Sequence, residues 1–120
     1  MEQWRADLTI TPEFITQNPT FLAELNGQII GFHALSEKDE SWNLEHLWIL
    51  PGQMGHGFGR RLFAHAAAYA AERGALSLTI EADPNAEPFY RRMGAIRDGT
   101  RESQIDGQVR LLPLLRFVLI

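Results

Sequence analysis

Apolar positions along the chain change period several times, and each change marks an element. In "TFLAELNGQIIGFHAL", Thr20–Leu35, two apolar runs flank Asn26-Gly27. Both positions of such a dipeptide tolerate positive φ, which predicts a hairpin with a tight primed turn. The charged "SEKDES" reads as a loop, and Trp42–Leu50 as a third strand ended by Pro51. From about Gly57 to Arg73 the sequence is alanine-rich. There Leu62, Ala66, Tyr69 and Ala70 fall on one helical face, and Gly74 supplies the stop. "ALSLTIEA" predicts a short strand bounded by Asp83-Pro84, and Ala86–Met93 a second helix ending at Gly94. The remainder predicts two strands around Asp106-Gly107, with Pro113 marking an edge or a bulge. Ahead of the hairpin, "RADLTITPEFITQNP" is mixed. Thr11 there is placed to cap a helix beginning at Pro12 and stopped by Pro19, and no first strand stands out.

The predicted order ββ-β-α-β-α-ββ mixes antiparallel hairpins with two helical crossovers. It describes an α+β layered fold, a mostly antiparallel twisted sheet whose centre is locally parallel where strand, helix and strand follow one another. Residues 1–120 read as a single domain, without repeats or a linker.

Composition narrows the chemistry. Net charge is −4, which disfavours nucleic acid or an anionic membrane and suits a neutral or cationic substrate better. The chain has no cysteine, which excludes disulfides, thiolate metal sites and a cysteine nucleophile. His33, His56 and His65 are scattered without metal-ligand spacing. "MEQWRADLTI" has no apolar leader and no segment approaches a membrane span, so a soluble, cytoplasmic protein is expected.

Gly55, Gly57 and Gly59 alternate directly before the first predicted helix. Bare backbone N–H groups plus the positive helix end make an anion site, most naturally for phosphate. Arg60 and Arg61 oppose the dipole in the first turn, which a bound anion explains better than helix stability does. The dinucleotide fingerprint fails because its third glycine would fall on Arg60 or Leu62; a P-loop fails for want of Gly-Lys-Ser/Thr. A nucleotide-binding domain is therefore the poorer reading of the loop.

Strand, Met54-Gly55-His56-Gly57-Phe58-Gly59 and helix resemble the GCN5-related N-acetyltransferase family, whose loop Q/R-x-x-G-x-G/A takes the pyrophosphate of acetyl-CoA. Both glycine positions match, and Met54 stands where the family usually has Gln or Arg. "DPNAEPFYRRMGA" resembles the family's later segment through Asn85, Tyr90 and Gly94, with a shorter Asn-to-Tyr spacing. The resemblance covers about Phe21 to Ile120. It implies acetyl-CoA as co-substrate, no metal, and an amine acceptor. It also implies a first strand and one or two helices where this chain has some twenty residues. Either the sequence starts late or a neighbouring subunit supplies that edge; the thin edge and the apolar Leu111–Ile120 favour a homodimer.

The same resemblance places the pantetheine arm against the backbone of Leu47, Trp48 and Ile49, where one N–H would polarise the thioester carbonyl. It places Tyr90 near the sulfur as general acid, with Phe89, Tyr90 and Met93 as plain packing the alternative. Asn85 holds the cofactor arm or caps the second helix. Strand parity puts Glu45, Leu47 and Ile49 on one face, away from Leu44, His46 and Trp48. A carboxylate among apolar neighbours has a raised pKa, which favours Glu45 as base. His46 is the competing base, Trp42 and Trp48 are candidates to line an acceptor pocket, and His56 to touch phosphate. Two functions remain in view: an N-acetyltransferase acting by direct attack in a ternary complex, or a catalytically silent acyl-CoA-binding module.

Overall fold

Two dipeptides set the hairpins. Asn26-Gly27 adopts φ values of 53° and 82°, and Asp106-Gly107 adopts 53° and 76°. Both are left-handed pairs that Asn, Asp and Gly enter at least cost. The computed structural model describes residues 8–13, 18–38 and 41–119. Over these the chain runs β1 (Leu8–Glu13), β2 (Thr20–Leu25), β3 (Gln28–Lys38), β4 (Ser41–Ile49) and a 3₁₀ turn at Pro51–Gln53. It continues with α1 (Phe58–Glu72), β5 (Ser77–Glu81), α2 (Glu87–Met93), β6 (Ile96–Ile105) and β7 (Gln108–Val118). The strands form one sheet in the order β1-β2-β3-β4-β5-β7-β6. Every pairing is antiparallel except β4 with β5.

Three expectations are corrected. Thr11 and Pro12 lie in a strand rather than at a helix start, and a first strand does exist: β1 pairs with β2 from Leu8↔Leu25 to Glu13↔Thr20. The alternation Leu8-Thr9-Ile10-Thr11 carries it, since Leu8 and Ile10 pack on the core and threonine favours extended backbone. The rest of that expected helix, residues 14–17, lies outside the described residues. The charged loop is also shorter, because β3 stays paired with β4 through Lys38↔Ser41. Finally, Pro113 is not on an edge, since β7 lies between β5 and β6. Its carbonyl accepts from the Ala82 N–H at the end of the β5 ladder, where no return bond is needed. A register shift in β6 between Arg97 and Gly99 lies opposite Leu115 and Leu114.

Both helices pack on one face of the sheet. One cluster joins Leu35, Leu44, Leu78, Ile80 and Leu115 of the sheet to Phe63, Ala66 and Ala70 of α1 and Tyr90 of α2. A second, under the start of α1, joins Ala23, Leu25, Ile30 and Ile49 to Phe58 and Leu62. Leu47 packs against both. The glycine stops act as expected: Gly74 (φ 86°) donates to the Ala71 carbonyl, and Gly94 (φ 111°) to that of Arg91.

Candidate active site

The centre of the sheet is where pairing fails. Parallel β4 and β5 pair only at Trp42↔Leu78, Asn43↔Thr79 and Leu44↔Ile80. Beyond Leu44, β4 continues to Ile49 with no strand partner on that side among the described residues. A cleft of about 840 Å³ occupies the divergence, a volume ordinary for a small-molecule site. Leu47, Trp48 and Ile49 form one wall; Ala86, Phe89, Tyr90 and Met93 form the other; Gly55, Gly57, Gly59 and Arg60 lie at its mouth.

Glycine is required at that mouth for two separate reasons. Gly55 and Gly57 have φ of 86° and 80°, where an L side chain costs roughly 1–2 kcal/mol. Gly59 has ordinary helical backbone, but a Cβ there would stand 3.2 Å from the Phe89 ring. That glycine lets α1 and α2 meet. Gly57 is the N-cap of α1, with no side-chain cap and no acidic residue in the first turn. The first intrahelical bond runs from the Arg61 N–H to the Gly57 carbonyl. The preceding first-turn N–H groups therefore have no partner within the helix, and they carry the positive end of its dipole. Arg60 and Arg92 add positive charge to the lining and Asp83 one carboxylate.

Most of the cofactor-site residues expected from sequence converge here: Leu47, Trp48, Ile49, Met54, Gly55, Gly57, Gly59, Arg60, Asn85 and Tyr90 all line the cleft. Phe58 instead plugs the core, and exposed His56 lies over it with ring centroids 5.8 Å apart. Asn85 is not the cap of α2; that residue is Ala86. The Asn85 N–H donates to the Asp83 carboxylate at 2.8 Å, an Asx turn that leaves the Asn85 side chain uncommitted to capping. Trp42 is buried in the core against Tyr69 rather than in the cleft. Ala86, Phe89 and Met93 had a legible signal in their helical spacing, but that spacing reads equally as packing; Asp83 and Arg92 had none.

Tyr90 is buried, and desolvation pushes its phenol up to about 12. It therefore stays protonated at any ordinary pH and presents an O–H rather than a phenolate.

Glu45 corrects the parity argument. Ala34 pairs with His46 and Leu35 with Leu44, so Glu45 is an extra residue, a β-bulge. The bulge shifts the alternation by one. Leu44, Leu47 and Ile49 all face the helices, while His46 and Trp48 face away. Glu45 is exposed and accepts from the Ser36 hydroxyl at 2.6 Å, rather than lying among apolar neighbours with Leu47 and Ile49. The bulge sits where β4 leaves β5, and neither Glu45 nor His46 is among the residues that line the cleft.

His33 and His65 form a separate knot between β3 and α1. His33 Nε2 and His65 Nδ1 are 2.9 Å apart, and the Phe21 ring packs on both. Burial first, then the nearby His65, lowers the His33 pKa to about 4; burial also lowers that of His65, with Glu72 opposing.

A sheet split between its parallel strands, with an uncapped helix end beside the split, defines an α+β fold with one apolar cleft at its centre. The sequence model of the Acetyltransferase (GNAT) family matches residues 2–95. The chain belongs to that family. It is 42% identical over 83 residues to the streptothricin acetyltransferase of Streptomyces lavendulae, covering 62% of this chain and 43% of that protein. The chain thus spans less than half the length of that relative. Among solved structures, nourseothricin acetyltransferase aligns with a TM-score of 0.77 and 28% identity, over 86% of this chain and 66% of its own. A GNAT family acetyltransferase from Elizabethkingia anophelis with acetyl-CoA bound aligns with a TM-score of 0.82, over 96% of this chain and 100% of that one. At 16% identity the second likeness concerns the fold alone.

Proposed function

We propose that the chain is an acetyl-CoA-dependent N-acetyltransferase that moves the acetyl group to a primary amine by direct attack in a ternary complex. The observation that carries this reading is the cleft between diverging β4 and β5, closed at one end by the uncapped α1 terminus. Its apolar walls suit a pantetheine arm, and the Gly55–Arg60 backbone suits a diphosphate. A β4 N–H released from pairing with β5 polarises the thioester carbonyl, a contribution of roughly 3 kcal/mol for one preorganised donor.

The amine nitrogen attacks the acetyl carbon, the C–S bond breaks, and an amide and a thiol result. An alkylammonium titrates near 10, so a base must free the nitrogen. We assign that role to Glu45 or His46, which lie on β4 where it leaves β5. Tyr90 donates a hydrogen bond to the departing sulfur. With the phenol at about 12 and a thiol near 8.5, complete transfer from an isolated Tyr90 is uphill. The phenol thus acts as a relay: once the base has freed the amine, the phenol's proton moves to sulfur as it gains the second proton, which the nitrogen sheds on becoming the amide.

Acetyl-CoA is expected to raise the melting temperature, and thiol release across a panel of primary amines to reveal turnover. Binding without release on any amine identifies a silent acyl-CoA module. No binding removes the reading altogether.

A further inference from the structure

The oxidisable sulfur of this chain is concentrated at one place. There is no cysteine among its residues, and it has three methionines. Met1 lies outside the described residues, while Met54 and Met93 both line the cofactor cleft. The two differ in access. Met93 is half-buried, packed from α2 against the larger core cluster. Met54 is 63% exposed although its backbone is tied, its N–H donating to the Pro51 carbonyl to close the 3₁₀ turn. The next residue is Gly55, whose φ of 86° opens the glycine loop. The thioether thus stands in water while its Cα is fixed beside the amides that face an anion. Met54 occupies the position where the family usually has Gln or Arg, so this sulfur belongs to the chain and not to the motif.

We infer that Met54 is a site of reversible oxidation by peroxide, and that its oxidation weakens acetyl-CoA binding. The inference goes beyond the acetyltransferase reading but rests on its placing of the cofactor in this cleft. The thioether sulfur gives a lone pair to one oxygen of hydrogen peroxide, the O–O bond breaks, and the second oxygen leaves as water. Sulfur is oxidised by two electrons to the sulfoxide, and the peroxide is reduced. An apolar side chain at the mouth becomes a polar one bearing an acceptor oxygen. The donors there are the backbone N–H groups around Gly55, Gly57 and Gly59 and the Arg60 guanidinium, the same groups that an anionic head needs. Under bound cofactor the new oxygen either goes without a donor or takes one from the phosphates, and both weaken the complex. Reduction restores the thioether, which makes the change a switch.

The test treats the chain with hydrogen peroxide and locates added oxygen by peptide mass spectrometry. Acetyl-CoA affinity is read by calorimetry, each protein against its own untreated form. Wild type is expected to gain one oxygen at Met54 ahead of Met93 and to lose about tenfold in affinity. Methionine sulfoxide reductases acting on both epimers should restore that affinity. In Met54→Leu the same treatment should change affinity by about twofold or less. Failure of Met54 to take up oxygen, or an affinity unchanged once it has, overturns the inference. So does an equal loss in Met54→Leu, or a loss that the reductases do not reverse. Untreated wild type that binds no acetyl-CoA removes the cofactor site itself, and the inference falls with it.

Discussion

The two ends of α1 solve opposite problems. At Phe58 the helix begins without a side-chain cap, its first turn carries arginine instead of acid, and the backbone before it is bent by glycines. Toward Glu72 the helix is wrapped in its own chemistry. His65 bonds His33, Tyr69 packs on Phe21 and Trp42, and the Arg73 guanidinium lies 3.4 Å over the Tyr69 ring while donating to its carbonyl. One end leaves donors unfilled beside a cleft; the other closes nearly every contact upon itself. A single helix can thus hold a ligand and lock the fold, because its charge and hydrogen-bonding needs are concentrated at its termini.

The contrast breaks most visibly at Tyr90, on the ligand side. Tyr90→Phe is expected to lower kcat on the order of a hundredfold while acetyl-CoA affinity, read by calorimetry, changes little. Turnover equal to wild type would remove the phenol from the mechanism.

The next effect belongs to the locked side. A histidine titrates at 6.5 when unfolded, and His33 at about 4 when folded. Between those values the unfolded chain binds more protons, so the stability conferred by neutral burial is complete above pH 6.5 and drains as pH falls toward 4. The total is roughly 3 kcal/mol, and the lowered pKa of His65 acts in the same sense. His33 Nδ1 is buried without a partner among the described residues, so a second proton on the ring finds no acceptor. Urea unfolding followed across this pH window should show the slope in wild type and a flatter one in His33→Leu. Parallel slopes would refute the assignment.

The smallest effect sharpens the comparison most. Gly57 and Gly74 sit at opposite ends of α1 with φ of 80° and 86°, and a Cβ added at either would meet no atom within 4 Å. Gly57→Ala and Gly74→Ala should each lower stability by about 1 kcal/mol. Only Gly57→Ala should also weaken acetyl-CoA binding. Equal ligand affinities in the two variants would deny the ligand end its special role.

What the sequence disclosed follows from how local each signal is. Asn26-Gly27, the alanine-rich helix and the Gly55–Gly59 loop are written in neighbouring residues, and each forms where expected. β1 was hidden because Thr11-Pro12 is also a sound helix start, and pairing with β2 decided between the two. The Glu45 bulge left no local mark, since it is defined by which residues of β3 lie opposite. That one unseen event reversed the facing of every residue from His46 to Ile49. Asn85 was ambiguous for a similar reason: only the folded turn shows Asp83 holding its N–H.

The bulge leaves β4 with two phases of alternation in nine residues. Excising residue 45 would rejoin the phases, rotating the indole and imidazole toward the helices and ejecting Leu47 and Ile49 into solvent. Which surface confronts the ligand is therefore stored as a count of peptide units, so at this point a one-codon deletion would be far more disruptive than any exchange of side chains.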